Sequence, residues 1–532
     1  VPSDNRYEFI NDKTVCTMKP KRHEWIMAAL FLAAIIGGTS CKDDKPQLAT
    51  PKIAITGADS IDLAPGETVK ISLALEGDGG AKSVVVTKNG GFLKEFPVHP
   101  TATQFVYTTE ALPNSLKEGE MLRYGFILSN TNDVDSKEIP FVIKTALYQK
   151  IKVGETELYS LNDGTDGIVP SGSEITLIKK RNYFVPYALT FEAGSKLKIE
   201  EGVHVYMNAN AASPVKIEIQ GEADIVGTAS APVVFTSSKT LTPAEPVKSG
   251  DWSEFRLSGP ESASSNGKVS YVRIEYAGER SFRLANVSEA TQIDHVQVYR
   301  SSGEGVMITD GKARLKYIVA TDCEGGSYRL GDKYAGKMQF LLSVNSQYFK
   351  ENDDFTIREK ASPVVSNVTL LGPGAETKKN THGMRMRGSS TPKVYNSVIA
   401  EFPRRGIRVA EEVKITDLNG SAVFAYSYVF NVPKDPFRDL AKAFAGTFNA
   451  DGTIASNPFH NNATKLEEGN YTLKPIGGIG VKDFVPDTEP KSTFNPASLD
   501  AFFSAAEFAG AVKNAAEDWT KGWVKNPDGT IR

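Results

Sequence analysis

Hydrophobic residues in this chain alternate with polar ones over short distances, and only near the C-terminus do they fall at helical spacing. From Pro51 to about Ala146, the runs TVKISLAL, SVVVTKN, FVYTTEAL, LRYGFILS and IPFVIK place apolar residues two apart, and Gly, Asn and Asp clusters separate them. Successive side chains of a strand point to opposite faces, so this pattern predicts half-buried strands joined by turns, an antiparallel sandwich. From about Leu189 to Phe430 the pattern becomes short strand-like pieces recurring every 22–29 residues. One series is Phe282–Leu284, Val306–Ile308, Tyr328–Leu330, Met384–Met386 and Ile407–Val409; a second begins at Tyr271, His295, Tyr317, Asn367 and Asn396. Two strand series with one period predict a repeating coil, a β-solenoid whose coils bury their inward side chains only by stacking. A leucine-rich repeat would need a fixed Leu/Asn pattern, and that pattern is missing.

Past Asp435 the coil pattern fades. The stretches DPFRDLAKAFAG and NPASLDAFFSAAEFAGAV read as short amphipathic helices, opened by Asp435 and by Asn495-Pro496. They predict a cap over the last coil, with Phe502, Phe503, Trp519 and Trp523 packed in it.

The other end has a different character. Met18 is followed by Lys19, Lys21, Arg22 and His23 and then by the apolar run Trp25 to Ile36, a basic region before a greasy one. That run is shorter than the roughly 20 residues needed to span a bilayer. Residues 1–17 are read as an upstream extension that is not native, and 18–41 as a signal peptide ending at Cys41. The box Gly38, Thr39, Ser40, Cys41 resembles the cleavage site of bacterial lipoproteins, which implies that Cys41 is lipidated. Lys42, Asp43 and Asp44 look like the acidic tag that exports such proteins to the cell surface in Bacteroidota. Residues 42–50 would be a tether, 51–146 the sandwich, 147–430 the solenoid and 431–532 the cap.

Within the solenoid, LTFEAGSKLKIEEGVHVYM, IEIQGEADIVGTASAPVVFTSS, SGDWSEFRL, VSYVRIEYAG and NVTLLGPG resemble the right-handed parallel β-helix lipoproteins of Bacteroidota, whose fold is pectate-lyase-like. The DWTKGW at Asp518–Trp523 resembles the end of those chains, and residues 51–146 resemble the immunoglobulin-like modules that follow their anchors. The resemblance implies an all-β protein. It implies no particular chemistry, because one fold hosts many functions.

Composition narrows the function further. The net charge of -3 gives no whole-molecule reason to expect nucleic acid as a partner. Cys16 and Cys41 lie in the targeting region, so Cys323 stands alone in the mature chain and is read as a buried, inert thiol. The histidines lack metal-ligand spacing, and no phosphate loop, nucleophile elbow or cofactor motif occurs. The Asn-Thr-Asp, Asp-Asp and Gly-His-Gly set of polygalacturonase-like enzymes is absent as a set. Asp353-Asp354 is read as part of a polar loop, and the THGM around His382 as a poor substitute. NDGTDG at 162–167 is read as an Asx-rich turn in preference to a calcium loop. No catalytic, metal or cofactor site is therefore expected.

One surface pattern rises above this background. If the aliphatics of the first series face inward, Arg283, Arg329, Arg385 and Arg408 face outward, and the same rule puts Tyr271, Arg273, His295, Gln297 and Tyr317 outside. An exterior face of arginines beside aromatics suits an acidic glycan. The expectation is a non-catalytic, lipid-anchored, monomeric surface protein of the outer membrane that binds a glycan or another surface partner. A polysaccharide lyase or hydrolase and an adhesive rod are the alternatives.

Overall fold

The computed structural model describes residues 50–532 except 162–166, 260–265, 348–351, 378–380, 411, 414–421, 440, 442–446, 449–453, 457–475 and 481–482. Cys41, Lys42, Asp43, Asp44, the signal segment and most of the NDGTDG turn thus lie outside the described residues. No helix among the described residues is long and apolar enough to cross a membrane.

The N-terminal strands form two sheets around one core. Lys52–Ile55, Lys70–Glu76 and Gln104–Thr108 make an antiparallel three-stranded sheet. Ser60–Leu63, Ile139–Thr145, Met121–Asn130, Ala81–Lys88 and Gly91–Pro97 make a five-stranded one. In Lys70–Glu76 every second residue is buried, as the sequence alternation requires. Ile71, Leu73 and Tyr107 of one sheet meet Val84, Tyr124 and Phe126 of the other in a shared core.

The rest is a parallel β-helix. Eleven strands from Ile168–Val169 to Asp435–Asp439 stack in one sheet, and every adjoining pair is parallel. The sixteen-stranded sheet supplies the other two sides. In the early coils those sides are separate strands, such as Glu222–Val226 and Val233–Ser237. From Gly267–Glu275 to Lys393–Ala400 they fuse into one long strand with a single bend, and in the last coil they part again as Val423–Ala425 and Tyr428–Phe430. The bend falls on Tyr271, His295, Tyr317, Phe340, Asn367 and Asn396, each in the left-handed region at φ 49–60°. All of them except Phe340 open the second repeat series, so the sequence marked the corner of the coil in five of these six positions. Phe235, Phe255, Phe282, Tyr328 and Phe355 lie in the interior with Val, Ile and Leu from every coil.

Buried ions join the two parts. Arg181 lies between Asp62 of the five-stranded sheet and Glu118 of the connection that precedes Met121–Asn130, the Tyr183 hydroxyl donates to Glu118, and the Glu118 carboxylate also accepts from the Leu147 N–H. Gln149–Val153 runs antiparallel to Thr156–Ser160 beside the first coils.

The C-terminal region departs from expectation. Asp435–Asp439 is a strand that continues the parallel ladder, and NPASLDAFF keeps only the 3-10 turn Pro496–Ser498, with Asn495 as its cap. From about residue 483 the chain runs as an irregular strap along the flank of the helix, from the coil of Asn396 back to that of Glu275. Phe503 and Trp523 are buried there and Trp519 is partly buried, on the side of the solenoid and not across its end. Tertiary contact overrides helix propensity here. Outward side chains of the coils take the strap's backbone groups: Asn396 donates to the carbonyls of Phe494 and Ala506, Asn367 to that of Phe508, Gln339 to that of Ser504, and Gln297 to that of Lys525.

Candidate functional site: the arginine-bearing sheet

The eleven-stranded sheet sets its outward residues in columns. Parallel register aligns Glu218, Arg256, Arg283, Met307, Arg329, Thr356, Arg385, Arg408 and Arg438 one coil apart. Beside them run Arg280, Glu304, Gly326 and, further along, Asp353, His382, Arg405 and Asp435. The four arginines singled out by sequence therefore share one column, as their spacing requires. Each has a carboxylate neighbour: Arg283 has Glu254 at 3.8 Å, Arg329 has Glu304, Arg385 has Asp353 at 3.2 Å, and Arg408 has Asp439 at 2.5 Å. Only part of each guanidinium fork is used, and the side chains stay 20–29% exposed.

Neighbouring guanidinium groups crowd two of these arginines. Burial, then Arg256, pulls Arg283 below the ordinary guanidinium value, and burial followed by Arg404, Arg408 and Arg438 does the same to Arg405. Burial alone would raise Asp353, but its bonds with His382, at 3.0 Å to Nδ1, and with Arg385 hold it below the usual carboxylate range. A groove of about 350 Å3 opens beside the first arginines of the column, lined by Trp252, Glu254, Glu279, Arg280 and Ser302.

Two sequence readings are corrected. Asp353-Asp354 belongs to the strand Asn352–Ile357 and not to a polar loop, and His382 stands one coil away in bonding contact with Asp353. The missed signal was the interval from Tyr328 to Met384, about twice the others, which conceals the coil of Phe355.

The second correction concerns the aromatics. Tyr271, Arg273, His295 and Tyr317 point outward, yet they lie at the corner and on the next side of the coil, under the strap, and not beside the arginines. The rings of Tyr271, His295, Tyr317 and Phe340 stack face to face at 4.2, 4.5 and 4.8 Å, so their flat faces are taken by one another. Trp519 and Trp523 close their edges. Arg273 donates to the carbonyl of Trp523 and, with Lys525, pairs with the buried Glu275. No sugar can stack on this ladder while the strap is in place. The sequence carried a warning, because Val319, Leu342 and Val398 occupy the register of Gln297 in later coils, and apolar outward residues need a cover.

Burial would raise Glu275, but Lys525 and Arg273 hold it below its ordinary 4.5. A depressed carboxylate adds stability above its unfolded pKa and loses it as pH falls through the folded one. Acidification below about pH 4.5 is thus expected to loosen the strap, read as faster proteolysis within residues 483–532. In Glu275→Gln this acid-dependent step should vanish, and an unchanged acid response in that variant would contradict the assignment.

The sequence model of a family described as a pectate-lyase-like beta helix domain matches residues 169–260 and 247–524. No curated protein matches. Among solved structures, the catalytic domain of a GH87 α-1,3-glucanase is 13% identical, covering 73% of this chain and 88% of its own, at a TM-score of 0.24. A pectate lyase from Pectobacterium carotovorum is 8% identical, covering 65% and 91%, at a TM-score of 0.17. Fibronectin(III)-like modules from Clostridium thermocellum are 16% identical over 18% of this chain, which spans 46% of their length, at a TM-score of 0.14.

Proposed function

The chain belongs to the pectate-lyase-like β-helix family, and from that premise we propose that its arginine-bearing sheet binds an acidic polysaccharide without cleaving it. The observation that carries this reading is the in-register column Arg283, Arg329, Arg385 and Arg408. Each of these arginines already has one carboxylate neighbour but uses only part of its fork on it, and Arg405 beside the column stays crowded by Arg404, Arg408 and Arg438. A polyuronate or sulfated chain laid along the sheet would supply anions at repeated spacing, and guanidinium forks would take them in bidentate fashion. Changing Arg329 and Arg385 together to glutamine should weaken binding at least tenfold; the change also removes their pairs with Glu304 and Asp353, so binding is compared well below the thermal midpoint of both proteins. Undiminished binding by the double variant would overturn the reading.

The second reading, a lyase or hydrolase, has Asp353, His382 and Arg385 behind it. A carboxylate that fixes a histidine tautomer beside an arginine is a recognisable acid–base arrangement. His382 Nε2 is buried and unpartnered, out of reach of a chain lying on the outer face, and binding is placed first for that reason. Release of unsaturated or shortened sugars would move the assignment to the enzyme. Binding to a protein but to no glycan would favour the adhesive rod.

The placement of the molecule is part of the proposal and rests on residues 18–44 alone. Cys41 would carry the lipid, with Lys42, Asp43 and Asp44 directing the protein to the cell surface, and the two-sheet module would be an immunoglobulin-like element between anchor and solenoid. Two or more acyl chains give stable anchoring where one does not. Cys41→Ala is expected to abolish labelled fatty-acid incorporation and detergent partitioning; persistence of both would remove the anchor.

A further inference from the structure

We propose that a narrow pocket at the inner edge of the same sheet binds one water molecule, held between the carboxyl of Asp354 and the hydroxyl of Thr381. Asp354 follows Asp353 in the strand but points the other way and is only 2% exposed. Its Oδ1 accepts from the Ser327 N–H at 3.2 Å and from Asn345 Nδ2 at 2.9 Å, while Oδ2 is buried without a partner. Thr381, in the next coil, is 6% exposed, and its Oγ1 is likewise buried and unpartnered. Both residues line a pocket of about 10 Å3, together with Cys323, Asn345, Gln347, Asn352, Pro373 and Phe402.

Two unpartnered oxygens in a native interior call for a partner, because an unsatisfied buried polar group is costly. The volume decides what that partner is. A space of this size is about what one water needs and excludes any sugar unit, and a buried water takes two to four polar contacts. Asp354 Oδ2 and Thr381 Oγ1 supply two, and Gln347 is a further polar side chain of the lining, while the amide nitrogens of Asn345 and Asn352 already donate to Ser343, Asp354 and the Glu324 carbonyl. A cation is the rival occupant, but the pocket offers a single carboxylate, and its other walls include a thiol and an aromatic ring. Burial also pushes the Asp354 carboxyl up, in keeping with a neutral acid that donates to the water. The Cys323 thiol is pushed up by burial too, and it is a wall of the pocket and not a reactive group. The water would thereby steady the inner carboxyl of a strand whose outer carboxylate, Asp353, holds His382 and Arg385.

The test is a crystal structure of the wild-type protein at a resolution that shows ordered solvent, paired with infrared spectroscopy of wild type and Asp354→Asn at neutral pH. The expected result is one solvent peak within hydrogen-bonding distance of Asp354 Oδ2 and Thr381 Oγ1, with a protonated-carboxyl band that the Asn variant loses. An empty pocket overturns the proposal. So does a peak at cation distances of roughly 2.0–2.6 Å without that band. In Thr381→Val crystals the peak should disappear, and full occupancy there would also count against it. Should that variant fail to fold, the wild-type density and band still decide.

Discussion

Replacing Trp523 with alanine is expected to free the C-terminal strap and to lower stability by about 3–5 kcal/mol, the usual cost of removing a buried tryptophan. The indole is fully buried. Its Nε1 donates to the carbonyl of Trp519 at 2.9 Å, and its ring meets the edges of Tyr271 and His295 at centroid distances of 5.7 and 5.8 Å. Without it the stacked ladder and the apolar outward residues Val319, Leu342 and Val398 would begin to face water. Urea unfolding with mapping of the first protease cuts reads the effect, and those cuts should move into residues 483–532. A midpoint and a cleavage pattern matching the wild type would show that the strap does not depend on this residue.

The second large effect is expected at Arg181. Its side chain is 3% exposed between Glu118, 1% exposed, and Asp62. Burying charges costs several kcal/mol that only their partners offset, so removing one partner typically costs about 3–5 kcal/mol. Arg181→Ala should therefore destabilise the junction of the two-sheet module with the first coils. Adding Glu118→Gln should recover part of the loss, because the stranded carboxylate is the main penalty. If the double variant is no more stable than the single one in urea, the penalty lies elsewhere.

Much of the fold was legible in the chain because parallel stacking repeats its demands. The inward pairs Phe282/Leu284, Val306/Ile308 and Ile407/Val409 recur at the coil period, and the corner residues Tyr271, His295 and Tyr317 recur with them. The arginine column followed from the same parity. What could not be read was contact between distant segments. No local pattern says that Lys525 will meet Glu275 or that Ser504 will donate to Gln339, so the strap looked like helices and the aromatic ladder looked open. The Asp353–His382 pair was missed for a simpler reason: its coil has polar residues on both sides of Phe355, and local polarity outweighed the period.

The central claim is that the arginine-bearing sheet recognises anionic polymer. Its most direct test is titration calorimetry of the wild-type protein with a polyuronate and with the same polymer after reduction of its carboxylates, at low and at physiological salt. The account predicts saturable binding of the polyuronate that weakens as the Debye length shrinks to about 8 Å, and little or no binding of the reduced polymer. Equal affinity for both polymers, or no heat with either, would contradict it.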